Sequence, residues 1–163
     1  MRLTSGRKWR KVERDGGMGA PMSANYTDAF EHAFDDKGRI TIPSEWRQEG
    51  YEARLFAFPS RSKCLKVYPE SWLGRLRERV ANLPFQDPLR QQLEALARIA
   101  QMVGWDQQGR MGVKERLRRQ AGLRRDAVLA GCFDHFEIWS AEAWQALQLG
   151  PTTLEDVMEK TGF

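Results

Sequence analysis

Residues 34–43, Phe-Asp-Asp-Lys-Gly-Arg-Ile-Thr-Ile-Pro, return at an offset of 71 as Trp105-Asp106-Gln107-Gln108-Gly109-Arg110-Met111-Gly112-Val113-Lys114. An aromatic residue, Asp, two variable residues, Gly, Arg and then an apolar residue at alternate steps keep one register in both copies. The same shift carries Trp46-Arg47 onto Leu117-Arg118, and Leu65-Lys66-Val67-Tyr68 onto Phe136-Glu137-Ile138-Trp139, with Trp72 and Trp144 one residue out of step. Self-similarity of this kind fixes the architecture before any residue is given a role. A unit of roughly 45–50 residues buries too little apolar surface to be stable alone. The two copies must therefore pack on each other or on another subunit.

Each copy carries turn chemistry. Asp35 can bond the backbone two residues on, and Gly38 can take positive φ without a Cβ clash. Asp35 to Gly38 and Asp106 to Gly109 thus read as the tips of two β-hairpins closed by a left-handed glycine. Phe30, His32 and Phe34 alternate before the first tip, and Ile40 and Ile42 alternate after it. The tips place Lys37 and Arg39 at one solvent-facing corner and Arg110 at the matching one. A turn needs its Asp and Gly, but nothing about a turn requires Arg39 or Arg110.

Along the chain, residues 1–25 are basic, Gly-rich and aperiodic, and predict a disordered extension. Initiation at Met18 or Met22 is a further expectation for this segment. Strand, turn and strand fill Tyr26 to Ile42. Pro43 ends them, a short helix follows from Ser44 to Gln48, and 54–58 with 64–68 predict a second strand pair. Pro69 opens a helix through Trp72, Leu73, Leu76 and Val80. Pro84 and Pro88 break it, and Leu89, Leu93, Leu96 and Ile99 form the apolar face of another. The second copy repeats the plan: 101–105, 111–113, a short helix at 115–120 stopped by Gly122, strands at 127–130 and 136–139, and a helix N-capped by Ser140. The expected units are 26–72 and 100–147, joined by helices in 73–99, with a tail at 148–163.

Composition narrows function less than it first suggests. The chain has 26 basic and 22 acidic residues and a formal charge of +4. Residues 1–15 alone hold Arg2, Arg7, Lys8, Arg10, Lys11 and Arg14 against Glu13 and Asp15, so the remaining body is neutral. Nucleic-acid binding would have to come from local clusters, such as Arg110, Lys114, Arg116, Arg118, Arg119, Arg124 and Arg125 around a single Glu115. Cys64 and Cys132 sit in apolar strand-like contexts and read as thiols of a reducing compartment. With two His in the chain, no zinc constellation is evident from spacing, and neither metal nor cofactor is expected. No apolar run approaches the roughly 20 residues of a membrane span, and the first residues lack the apolar core of a signal peptide. His32 and His135 have no sequence-evident nucleophilic partner and there is no Gly-rich phosphate loop, so an enzyme is not expected.

At these residues the chain resembles the MraZ family, built from two AbrB/SpoVT-type repeats. The resemblance rests on Phe30-Glu31-His32 before Asp35-x-Lys37-Gly38-Arg39-x-x-Ile42-Pro43, on Cys64-Leu65 with Val67-Tyr68-Pro69 and Trp72, and on the corresponding words of the second half. These are Asp106-x-x-Gly109-Arg110, Leu117-Arg118-x-x-Ala121-Gly122-Leu123, Phe136-Glu137-Ile138-Trp139 and Trp144. The family resemblance implies a mainly β, α+β fold with peripheral helices, made of two pseudo-repeated swapped-hairpin or double-split β-barrel (AbrB-like) units. It also implies a ring-shaped homo-oligomer in the cytoplasm, associated with the nucleoid, that binds double-stranded DNA and represses the division and cell-wall gene cluster. By position, Arg39, Lys37 and Arg110 would contact DNA, while Asp35, Gly38, Asp106 and Gly109 would form the turns.

The second copy departs from the family pattern at Lys114, Gln108 and Gly112, so its loop is expected to bind less strongly. The competing expectation is an oligomeric scaffold of the same fold with weakened DNA contact. Toxin–antitoxin regulators share the hairpin fold but usually carry one repeat and a partner-binding tail.

Overall fold

The computed structural model describes residues 24–147 and 150–163. Residues 1–23 lie outside it, and with them nearly all of the basic extension and its expected start sites. Among the described residues eight strands are formed: β1 (Ala29–Ala33), β2 (Arg39–Thr41), β3 (Leu55–Pro59), β4 (Leu65–Pro69), β5 (Gln101–Val103), β6 (Arg110–Gly112), β7 (Asp126–Gly131) and β8 (Phe136–Ser140). A 3-10 turn at Ser44–Arg47 follows β2. Helices α1 (Glu70–Ala81) and α2 (Pro88–Ile99) separate the repeats, α3 (Glu115–Gln120) follows β6, and α4 (Ala141–Ala146) and α5 (Leu154–Thr161) close the chain.

The strands pair across the repeats as much as within them. A six-stranded antiparallel sheet runs β1-β7-β8-β4-β3-β5, and a separate ribbon pairs β2 with β6. The first strand of each repeat therefore lies against the third strand of the other, β1 on β7 and β5 on β3. The turns read as hairpin tips are present, and their arms are exchanged between repeats as the family resemblance implies. Each tip closes locally, through Gly38 N–H to Asp35 O at 3.0 Å and Gly109 N–H to Asp106 O at 2.9 Å. The two arms then part, and each ladders onto the other repeat. Crossing bonds complete the exchange: Ile42 N–H donates to Gly109 O at 2.8 Å, and Val113 N–H donates to Gly38 O at 2.9 Å. These are swapped hairpins in a double-split barrel, because an isolated two-stranded arm has no apolar partner for its buried side.

Register shows an internal two-fold relation. Ile40 faces Met111 at the middle of the ribbon, and Lys66 faces Glu137 at the middle of the sheet. Both pairs join positions that the 71-residue shift makes equivalent. The ribbon lays Ile40 and Met111, each wholly buried, onto the inner face of the sheet, where Leu55, Leu65, Val67, Leu129 and Ile138 are equally inaccessible. Burial of side chains of this size contributes about 1.5–3 kcal/mol each. On the first-repeat side the core is aromatic, with Trp46 packed 4.9 Å from Phe136 and edge-on to Tyr26 and Phe30. Its equivalent on the other side is the fully buried Leu117.

The outer face of the sheet is covered by helices. Trp144 and Leu147 join Cys64, Ala130 and Trp139 in a smaller cluster. On the opposite wing α1 and α2 stand over β3 and β5, leaving an open groove of about 460 Å³ lined by Phe56, Phe58, Leu73, Leu93, Leu96 and Met102. The apolar stripe expected on α2 is covered only at its middle, since Leu89 and Ile99 remain exposed. Among the described residues no helix is long and apolar enough to cross a membrane.

Ile40→Ala and Met111→Ala should each lower unfolding free energy by about 2–5 kcal/mol. The two losses should not add, with a coupling of about 0.5–3 kcal/mol in a double-mutant cycle read by denaturant melts. Strict additivity would show that the two ribbon strands do not meet in solution.

Candidate nucleic-acid interface

The two turns are built alike and atom for atom. Asp35 Oδ1 accepts the backbone N–H of Lys37 at 2.9 Å and of Arg39 at 2.8 Å. Asp106 Oδ1 accepts those of Gln108 and Arg110, both at 2.9 Å. Gly38 and Gly109 close them at φ 76° and 77°, a region that costs an L-residue roughly 1–2 kcal/mol.

Each glycine also makes room for an arginine of the other repeat. A Cβ on Gly38 would lie within 3 Å of the Arg118 guanidinium, and one on Gly109 would overlap that of Arg47. Arg47 is fixed by Nε donating to Ile42 O at 2.9 Å, and Arg118 by Nε donating to Val113 O at 3.0 Å. The Arg118 guanidinium also stands 6.0 Å from the Phe34 ring. Sequence reasoning gave Arg47 no role. The signal was present, since the 71-residue shift superposes Arg47 on Arg118.

Alternation along the ribbon decides where the turn arginines point. Ile40 and Met111 face inward, so Arg39, Thr41, Arg110 and Gly112 share the outward face. Arg39 stands opposite Gly112, and the bare backbone there lets its aliphatic stem lie across the partner strand, with Cγ at 3.9 Å from an ideal Cβ position. Arg110 stands opposite Thr41. The two arginines are diagonal neighbours, about 7–8 Å apart at that spacing in a β-ladder. Lys37 is exposed at the first tip, and Lys114, Arg119, Arg124 and Arg125 are exposed nearby. Part of the expected basic cluster is occupied structurally: Arg116 caps the end of α2 through Ile99 O and Ala100 O, and Arg119 pairs with Glu115.

The sequence pattern treats turn aspartates and arginines as separate devices, whereas the fold couples them. Arg39 Nε donates to Asp35 Oδ2 at 2.8 Å. Arg110 donates to Asp106 Oδ2 from Nε at 3.1 Å and stands 3.0 Å away at Nη2, which also bonds Gln108 Oε1. Each arginine side chain is 31% exposed. The two latches differ in what they leave open. Among the described residues the Arg39 side-chain hydrogen bonds end at Nε, and its pair of terminal nitrogens is engaged by none. Arg110 has one of those nitrogens engaged. Backbone N–H bonds, from Arg39 and Arg110 first, and then the guanidinium contacts hold both carboxyls below the ordinary 3.8.

Comparison with known proteins matches the family described as "MraZ protein, putative antitoxin-like" over residues 26–95 and 96–150. Curated relatives carry the name "Transcriptional regulator MraZ". That of Thermomicrobium roseum is 38% identical over 122 residues, covering 72% of this chain and 82% of its own. That of Mycobacterium ulcerans is 37% identical over 124 residues, 76% of this chain and 86% of its own. That of Saccharopolyspora erythraea is 35% identical over 116 residues, with coverage of 68% and 78%.

The latches make a pH prediction. A depressed carboxyl pKa adds stability that is present above 3.8 and is lost as pH falls through the lowered value. Carboxyl titration by NMR should place both aspartates below 3.8. A midpoint at or above that value for either one would mean that its latch is not formed in solution.

Proposed function

The chain belongs to the MraZ family, and from that premise we propose that it is a sequence-specific DNA-binding transcriptional regulator. In this reading it represses the division and cell-wall gene cluster, binds tandem direct repeats as a ring-shaped homo-oligomer, and acts in the cytoplasm at the nucleoid rather than as an enzyme. The units 26–72 and 100–147 are its two repeats, joined by the helices of 73–99. The carrying observation is the pair of equivalent arginines, Arg39 and Arg110, on the one outward face of a two-stranded ribbon whose other face is core.

A two-stranded ribbon fits the major groove of B-DNA, and an arginine meets guanine O6 and N7 there with two hydrogen bonds worth about 1–3 kcal/mol of discrimination. The Asp35 latch supports this role for Arg39. By holding Nε it fixes the plane of the guanidinium and leaves the terminal fork to meet a base edge. Lys37 reaches phosphate more readily than a base, which positions the protein without specifying sequence. Arg110, with Nη2 turned to Asp106 and Gln108, is the weaker contact. Since one ribbon holds few such contacts, tight binding comes from several subunits acting on repeated sites through effective concentration.

The engaged Nη2 of Arg110 is also the observation that favours the second reading, an oligomeric scaffold of this fold with weakened DNA binding.

Arg39→Ala should lower affinity for cognate repeats by about 5- to 150-fold per engaged contact, with the fold and the oligomer intact. Arg110→Ala should lower it less. An Arg39→Ala protein that binds as wild type does would refute the assignment, and a larger loss for Arg110→Ala would reverse the ranking. Log affinity should fall linearly with log salt, and a single half-site should bind far more weakly than phased repeats. Indifference to salt would favour the scaffold.

A further inference from the structure

The turn between β7 and β8 gathers donors that the DNA-binding reading does not use. Cys132, His135 and Glu137 each place a ligand-type atom within 4.8 Å of the others. We propose that they form a binding site for a zinc-class transition-metal ion, one per chain.

The backbone brings them together. Cys132 N–H donates to His135 O at 2.9 Å, and Phe133 takes φ 67° to make the reversal. His135, immediately before β8, and Glu137 within it are two residues apart and so share a face. The donors are already oriented as metal ligands are. His135 Nδ1 lies 2.7 Å from Asp134 Oδ1, a carboxylate contact that holds the proton on Nδ1 and turns the Nε2 lone pair inward. Nε2 is buried without a hydrogen-bond partner. It stands 3.5 Å from Glu137 Oε2, at the outer limit for a hydrogen bond. The ring is held flat against Tyr68, 4.3 Å away at 10°, and Tyr68 stacks in turn on Trp72 at 3.9 Å.

Glu137 Oε1 accepts Trp139 Nε1–H at 2.9 Å, which leaves Oε2 as the ligand oxygen. Its other neighbour is Lys66 Nζ at 3.7 Å, on a side chain 38% exposed that can swing into solvent when a cation enters. Cys132 binds as thiolate: the S–H bond breaks, the proton leaves to solvent, and the S–metal bond forms. One sulfur, one imidazole and one carboxylate suit Zn²⁺ and its congeners rather than Mg²⁺ or Ca²⁺, and three ligands leave a fourth position for water.

Spacing did not reveal this set because it mixes three residue types across a turn, in the order Cys-x-x-His-x-Glu. The first repeat has no counterpart: the shift places Arg61, Cys64 and Lys66 at the equivalent positions. The same turn grips the start of the fold, with Tyr26 N–H donating to Phe133 O at 2.8 Å and Phe133 N–H to Tyr26 O at 2.9 Å. A bound ion would stiffen that grip. The site stands on the fold alone and is independent of DNA binding.

The test uses the full chain, purified without a histidine tag, stripped with chelator and titrated with Co²⁺. One equivalent should produce a sulfur-to-cobalt charge-transfer band in the near ultraviolet, and Zn²⁺ should displace it. Cys132→Ser should abolish the band and Cys64→Ser should keep it. His135→Gln and Glu137→Gln should each weaken binding about tenfold or more. Absence of the band, its survival in Cys132→Ser, or wild-type affinity in both His135→Gln and Glu137→Gln would overturn the proposal. Should Cys132→Ser fail to fold, the two glutamine variants decide.

Discussion

The structure depends on an exchange of backbone between two copies of one motif. Beyond the residues beside its turn neither hairpin keeps its own arms together, and Ile40 meets Met111 at the centre of a ribbon made from both. Every other feature follows from that crossing. It buries the apolar side of each arm against the far repeat, places the turn of one copy beside the short helix of the other, and turns the remaining side of the ribbon to solvent. Hydrophobic burial at the crossing is the driving term, because a short two-stranded arm has too little surface to bury alone.

The crossing also explains the glycines and arginines together. Gly38 and Gly109 satisfy two demands at once, a left-handed backbone and space for a guanidinium from the opposite copy. Arg47 and Arg118 seal the backs of the turns by binding carbonyls, while Arg39 and Arg110 remain on the front. The aspartates bind backbone and side chain of the same arginine. That lowers the entropy left to each guanidinium before any ligand arrives, which is what makes an arginine selective rather than merely adhesive.

Much of this was legible in the sequence because it is periodic. The 71-residue shift gives two units, Asp-x-x-Gly locates both turns, and alternation around Ile40 and Ile42 separates core from surface. Partner choice was not legible. Alternation says that β1 has a buried side, but the Phe30 to Leu129 register joins residues far apart in sequence, and local pattern carries no information about which strand supplies the cover. The latch on Arg39 was hidden for a different reason. Asp35 was fully accounted for as a turn former, and a residue with one sufficient role offers no sequence signal for a second. The helix stripe at Leu89 and Ile99 misled in the opposite sense, since an apolar period reports capacity for burial and not its completion.

At the middle of the sheet, Lys66 lies opposite Glu137. In a dimer of identical chains a residue on the two-fold axis meets itself, so a charge there would repel its own image. Fusing the copies into one polypeptide lifts that restriction, and the two positions have taken opposite signs. The same freedom lets one turn arginine keep its fork open while the other closes. A subunit of this kind has a head and a tail. Under the DNA-binding role proposed above, such a subunit would meet a duplex in one direction only, and a target without inversion symmetry would be its natural match.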